Sequence, residues 1–348
     1  MSRQRKLFWV MTICVMGLGM RLLVATLGGN FDLESWYIVA EIKRFGGNVY
    51  LETTRYNYAP FWSELLRIVH ILTYGIDQPW LFRYFLTIIL TLADLATAWV
   101  IWKRISYFAA GIFFLNPISI IISGYHLQFD TIAIAIMLVT FYWYDRNEGE
   151  KSFKKTLIAS IGIGLSLCFK HVFIFFPLWW ALKETKWMHR IIIILLPLCI
   201  FGISFTPFLP EAWPDIRTNV IGYQYKNNGI LYNHFLPETL QVWITPKRLL
   251  LILIMIFGIG IRRYKLLDQV ILYCGAIVIF APFIANQYLA IAAPYAAVYL
   301  NLFSAAYFIY GGYYLIFHTS GLHALNNWFP ISWNGQYVGI AQPMKYLT

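Results

Sequence analysis

The chain has 348 residues, 59% of them hydrophobic and only 12% charged. Soluble domains carry about twice that charged share, and no water-soluble fold of this size could hide so much apolar surface. The formal charge of +11 does not point to nucleic acid, because there is no basic domain outside the apolar segments and no nucleic-acid motif. It suits cytoplasmic anchors and groups facing lipid phosphates.

Apolar stretches of roughly 17–25 residues recur along the chain, so the bilayer is the solvent. Basic residues collect in cytoplasmic loops. Five stations do so here: Arg3/Arg5/Lys6, Lys103/Arg104, Arg146 to Lys155, Lys183 to Arg190, and Arg262/Arg263/Lys265. Placing all five inside predicts one topology with a cytoplasmic N-terminus. Helix 7–28 runs outward and is too long for a signal-peptide core, so it is expected to be retained. An outer segment, 29–80, follows. Its mixed polar and aromatic pattern over 34–45 predicts a helix lying in the interface. Three ionisable groups over 61–74 favour an outer-surface helix there, with a short spanning helix as the alternative. Helices over 81–102, 105–123 and 131–144 come next, with an outer turn at 125–130. Helices 156–169 and 172–182 meet outside at Lys170 and His171. Helix 191–205 leads to a second outer segment, 206–246. Helices 248–261 and 267–285 follow, and the apolar stretch after 288 makes two more, giving an all-α transmembrane bundle of about 10–11 helices in a single domain, 1–348. Residues 321–348 show no periodicity, and there is no internal repeat. Cys14, Cys168, Cys199 and Cys274 lie in apolar segments without metal-ligand spacing.

This topology rests on basic anchors alone, yet it gathers the costly polar groups on one membrane face. Asp32 and Glu34 follow the first helix. Arg55 and Tyr58 precede Pro60. His126, Gln128 and Asp130 fill one outer turn, Lys170 and His171 another, and Gln287 and Tyr288 a third. The second outer segment adds Arg217, Tyr223, Tyr225, Lys226 and His234. Taken singly, each has a bland reading. Asp32 and Glu34 read as helix caps, His126 as a satisfied interfacial histidine, and Lys170 as a snorkelling anchor. Their shared side is what marks a site. Two ionisable groups fall elsewhere. Asp94 sits mid-helix and is expected to have a buried structural partner. Arg21 is expected to snorkel outward.

The runs Asn30-Phe-Asp32-Leu-Glu34, Gly47-Asn-Val-Tyr50 and Tyr56-Asn-Tyr58-Ala-Pro60 resemble the first outer loop of integral-membrane GT-C glycosyltransferases, especially GPI mannosyltransferase I-like enzymes and their bacterial relatives. Asn116-Pro117 with His126-Leu-Gln128-Phe-Asp130 resembles a signature of dolichol-pathway glucosyltransferases. Phe169-Lys170-His171 with Pro177, and Gln287-Tyr288-Leu289 with Pro294, resemble later steps of the same enzymes. The likeness runs from Arg21 to Pro294. His171 stands where Gln is usual, Asn286 where a His often stands, and the acidic pair is Asp-x-Glu rather than Asp-x-Asp.

The resemblance implies a GT-C fold. It also implies inverting transfer of a mannose- or glucose-type hexose from a polyprenyl-phosphate donor to an acceptor hydroxyl on a glycan or glycolipid, at the periplasmic or extracellular face of a bacterial plasma membrane. Asp32 would be the general base, with Glu34 beside it. Lys170, His126, Arg55 and Arg217 would hold the donor phosphate. Tyr58, Gln128, Asp130, His171, Gln287 and Tyr288 would line the substrate site. Either no cofactor is needed, or Asp32 and Glu34 hold a divalent cation, Mg²⁺ or Mn²⁺. Membrane lipids, not nucleic acid, complete the partners. Two alternatives stay open: a lipid-linked oligosaccharide ligase or polymerase, and a transporter or flippase of a lipid-linked sugar. The second fits less well, because transporters commonly show repeated halves with charges near the midplane.

Overall fold

The computed structural model describes residues 3–73, 79–146, 152–223, 237–241, 243–282, 285–317 and 322. These residues form seventeen α-helices and short 3₁₀ and π turns, with no strand among the described residues. Three helices are long and apolar enough to cross a membrane: α1 (Arg3–Thr26), α5 (Pro79–Arg104) and α11 (Trp187–Ile203). A bent pair makes a fourth. It joins α6 (Tyr107–Leu115) to α7 (Pro117–Ile121), which continues as a π turn over Ile122–His126.

The bend of 47° has a local cause. A residue before proline is driven out of the helical region, and Asn116 accordingly lies at φ −69, ψ 148. Its side chain then caps α7 by accepting from Ser119 N at 2.9 Å. The Asn-Pro pair is thus a helix break and restart.

The segment after α1 folds as two packed helices, α2 (Phe31–Arg44) and α4 (Pro60–Thr73), joined through the single turn α3 (Val49–Glu52). Trp36, Val39, Trp62 and Leu66 are buried between and beneath them. At the surface, Glu64 pairs with Lys43 at 2.6 Å and Arg67 at 2.9 Å.

Beyond these lie α8 (Asp130–Arg146), α9 (Phe153–Phe169) and α10 (Phe176–Lys183), then α11. The stretch expected as one helix over 172–182 is instead a 3₁₀ turn, His171–Phe173, followed by α10. Pro177 lacks a backbone N–H and so suits a helix start rather than its middle. After α11 come α12 (Trp213–Asp215), a π turn (Ile216–Ile221) and α13 (Glu238–Gln241). Then come α14 (Pro246–Gly260), α15 (Leu266–Ile279), α16 (Tyr288–Val298) and α17 (Leu302–Phe317). α15 stops short of the expected residue 285 because Pro282 follows closely. The two terminal helices are as expected, and their turn lies at 299–301.

Arg21 does not snorkel. It is fully buried, and its Nη2 and Nε donate to Asp94 Oδ2 at 2.9 and 3.2 Å. Nη1 donates to the carbonyls of Gly17 and Phe114 at 3.1 and 3.0 Å, and the guanidinium lies 4.4 Å from the Phe114 ring. Asp94 also accepts from Ser123 Oγ at 2.7 Å and from Thr131 Oγ1. Arg21 had a better option than water: a carboxylate on α5 at the same depth. Removing one member of such a pair leaves an uncompensated buried charge and costs about 3–5 kcal/mol, whereas replacing both by apolar groups costs far less. Asp94→Ala should therefore lower the unfolding temperature of the detergent-solubilised protein sharply, and Arg21→Met/Asp94→Leu should lower it less. A double variant as unstable as the single one would remove the ion pair as the cause.

Candidate active site

The turn between α7 and α8 is held at both ends by one carboxylate. Ser123 before it and Thr131 after it both donate to Asp94. Within the turn Gly124 passes so close to α1 that a Cβ there would lie 2.7 Å from the Arg21 carbonyl oxygen. The next feature is strained: Leu127, fully buried, adopts φ 51, a left-handed conformation that non-glycine residues adopt at a cost. Its carbonyl accepts from Trp36 Nε1 at 3.1 Å, which holds it. This reversal turns His126, Gln128 and Asp130 inward, each at most 1% exposed.

Asp32 meets them from α2. Asn30 caps that helix, its Oδ1 accepting from Asp32 N at 3.1 Å. Asp32 Oδ2 accepts from Asn30 Nδ2 at 2.9 Å and from Gln128 Nε2 at 2.6 Å. Asn30 Nδ2 also contacts His126 Nδ1 at 2.7 Å.

Lys170 follows the last turn of α9. Its Nζ donates to Asp130 Oδ2 at 2.6 Å and sits 4.9 and 4.8 Å from the rings of Tyr58 and Phe129. Those rings belong to an aromatic wall. Trp62 stacks on Phe129 at 4.3 Å, and Trp36 and Tyr58 meet Phe129 edge-on at 5.6 and 4.9 Å. Tyr50 and Tyr56 fix the chain around Tyr58: Tyr50 Oη donates to the Tyr58 carbonyl at 2.9 Å, while Tyr56 Oη donates to the Ala59 carbonyl and accepts from Ser63 N.

The two halves share one electrostatic environment. Burial raises the Asp32 carboxyl above its ordinary value. Asn30, Lys170 and Gln128 oppose that rise, and Asp130 adds to it. Tyr58 is held well above its usual range by burial, then by Asp32, Asp130, Tyr288 and Tyr223. Tyr58 therefore stands among groups from four other segments. His171 lies against Phe201, and burial, Lys170 and Lys247 push it down to about 4.

Other expected residues lie apart from this cluster. Glu34 and Arg55 pair with each other at 3.0 Å, half-exposed, with Arg55 4.4 Å from the Phe31 ring. Arg217 is exposed on the π turn Ile216–Ile221. Gln287 is half-buried just before α16. Tyr225, Lys226 and His234 lie outside the described residues. A divalent cation on Asp32 and Glu34 does not suit this donor set. Asp32 Oδ2 already faces two amide N–H groups, Glu34 faces Arg55, and among the described residues no third His, Cys, Asp or Glu joins them. Asn30 and Leu127 had been given no role by sequence reading. Asn30 carried a visible signal, a cap residue at a helix start; Leu127 carried none.

No protein-family profile matches the chain, and no curated protein sequence does. Solved structures do. ArnT from Cupriavidus metallidurans in the apo state superposes with a TM-score of 0.52 at 12% identity, over 88% of this chain and 63% of ArnT. The same protein bound to undecaprenyl phosphate gives 0.54 at 13%, over 87% and 62%. The chain has the GT-C fold. It spans about three fifths of the length of ArnT. The archaeal oligosaccharyltransferase AglB from Archaeoglobus fulgidus, in complex with an inhibitory peptide and a dolichol-phosphate, gives 0.47 at 14%, over 97% of this chain and 53% of AglB.

On this GT-C scaffold His171 offers a direct check. A histidine whose folded value is depressed from the ordinary 6.5 to about 4 is neutral when folded and charged when unfolded between those values. Stability should thus fall as pH drops from 6.5 toward 4, by about 3 kcal/mol for the full span at 1.36 kcal/mol per unit. Thermal unfolding of wild type and His171→Gln across that window should diverge at the acid end, with the variant the more stable. Parallel curves would place His171 in water.

Proposed function

We propose that the chain is a glycosyltransferase that moves a hexose from a polyprenyl-phosphate donor to an acceptor hydroxyl on the outer face of the membrane, with inversion. The observation that carries this is the convergence of a half-buried carboxylate, Asp32, and a buried cation, Lys170, near enough for the cation's charge to act on the carboxyl, each fixed by hydrogen bonds across an otherwise apolar bundle. The GT-C fold adds weight, since one structure with that fold holds undecaprenyl phosphate. Fold alone does not set function; the site residues do.

The chemistry asks for two things. The acceptor oxygen must lose its proton as it attacks the anomeric carbon, and the leaving phosphate must be held as an anion. Asp32 serves the first. The acceptor O–H proton passes to its carboxylate, the acceptor oxygen bonds to the anomeric carbon on the face opposite the phosphate, and the anomeric C–O bond breaks with its electron pair leaving on the phosphate. A carboxylate with a raised pKa is a stronger base than one in water. Asp32 Oδ2 is taken by two amides, so Oδ1 is the oxygen that receives the proton. Lys170 serves the second need. An ammonium has three donors and Asp130 takes one, leaving two for phosphate oxygens. His126 adds a ring N–H donor. Tyr58, Gln128, Asp130, His171 and Tyr288 line the sugar and acceptor space, with Gln287 at its edge. Arg55 and Arg217 serve from the rim, where the phosphate of an arriving donor first meets the protein. The setting is a bacterial plasma membrane with the pocket facing outward.

The test is to incubate purified protein with polyprenyl-phosphate mannose and polyprenyl-phosphate glucose and to detect released polyprenyl phosphate and glycosylated acceptor. Asp32→Asn should lower turnover by at least roughly 10²-fold, the usual scale of a general base, and should leave the fold intact. Burying a charged carboxylate costs stability, so the neutral variant should unfold at an equal or higher temperature near neutral pH. The sign for rate follows from the same raised value: wild-type turnover should fall as pH drops through a midpoint above the ordinary carboxylate range. Wild-type turnover in Asp32→Asn would end this reading.

A further inference from the structure

We infer that Asn30 is a positioning residue that ties Asp32 to His126 and fixes His126 as a neutral imidazole whose proton sits on Nε2. This rests on the glycosyltransferase reading for its consequence but not for its geometry.

The deduction starts from the helix cap. Asn30 Oδ1 accepts from Asp32 N at 3.1 Å, which commits the oxygen of the amide. The nitrogen, Nδ2, must then be the atom at 2.9 Å from Asp32 Oδ2 and 2.7 Å from His126 Nδ1. An amide –NH₂ has two hydrogens and no lone pair to offer, so both neighbours must accept. The Asp32 oxygen does so as a carboxylate, and it accepts from Gln128 Nε2 at the same time. His126 Nδ1 must present its lone pair. The single ring proton is then on Nε2, the other nitrogen, and a second proton on Nδ1 would face an N–H head-on.

Two consequences follow. His126, 1% exposed, works as a donor through Nε2–H and does not cycle through an imidazolium. Asn30 also holds one carboxylate oxygen of Asp32, so the orientation of the base and the tautomer of the histidine are set by the same amide group. Around the pair, Lys170, Asp130 and Tyr58 face Asp32 from the α9 turn, the α8 start and the 56–60 segment, and Tyr125 meets the His126 ring edge-on. Of these groups, Asn30 alone bonds both residues.

Three variants of the full-length protein separate this from a structural role. Asn30→Ser keeps a capping oxygen and loses both amide hydrogens. Asn30→Asp keeps the cap and the shape but replaces the donor by an acceptor. Asn30→Gln keeps the amide and moves it. The primary readout is ¹⁵N NMR of side-chain-labelled histidine in detergent micelles, with His126 assigned by loss of its signal in His126→Asn among the seven histidines. Wild type should show neutral His126 with the proton on Nε2. Asn30→Asp should bring a proton onto Nδ1, as the other tautomer or as imidazolium. Asn30→Ser should give a mixture of tautomers and lower kcat roughly tenfold or more with KM changed less than threefold, because the base is misaligned rather than the substrate lost. Nδ1–H in wild type, or a tautomer unchanged in Asn30→Asp, overturns the inference. The wild-type spectrum alone decides if a variant does not fold. It also decides if no hexose donor is turned over, so failure of the glycosyltransferase reading is recognisable separately.

Discussion

One carboxylate in the middle of an apolar helix organises this bundle. Asp94 has no water to turn to, so its lone pairs must be met by protein. Arg21 on α1, Ser123 in the π turn and Thr131 on α8 meet them. Each bond fixes a relation between elements: α1 against α5, and both ends of the turn that carries His126 and Asp130. Arg21 completes the knot through the Phe114 carbonyl, just before the bend at Asn116. Apolar packing alone would tolerate a small rotation of α1. A buried charge does not, because every misplaced ångström leaves donors unmet.

The polar cluster around Asp32 is built on the opposite electrostatic logic. Two carboxylates share it with one lysine, and the neighbouring His171 is held neutral. Such a cluster does not favour the folded state as a packed apolar core would. Its members are kept in place by the aromatic wall of Trp36, Tyr58, Trp62 and Phe129 and by the strained Leu127 that Trp36 pins. Strain and raised carboxyl affinity gathered in one place are typical of sites shaped for chemistry rather than for stability. The amides of Asn30 and Gln128 hold Asp32 without neutralising it, which leaves its second oxygen the stronger base.

The GT-C fold and the site support each other from different directions. At 12–13% identity to ArnT, superposition speaks for helix arrangement. The cluster of Asp32, Lys170 and Asp130 is a separate observation, of charge gathered inside an apolar bundle. Glu34 and Arg55, apart from that cluster, pair with each other in partial contact with water.

Composition and basic stations were enough to determine that this is an all-α membrane bundle and where most helices run; they put a longer set of polar residues on one face, of which Asp32, His126, Gln128, Asp130, Lys170 and Tyr58 come together while Glu34, Arg55 and Arg217 lie apart. Those signals are local: hydrophobic length, charge side and motif order are written along the chain. The expectation that Asp94 has a buried partner was likewise legible from one acid in an apolar run. The identity of that partner was not, since Arg21 lies 73 positions away and an arginine near a helix end reads equally well as a snorkelling one. Nor could pattern reveal the left-handed Leu127, the pairing of Lys170 with Asp130, or the use of both amide faces of Asn30. These depend on distances between segments, and hydrogen-bond donors and acceptors can be matched only once tertiary packing has brought them within about 3 Å of each other.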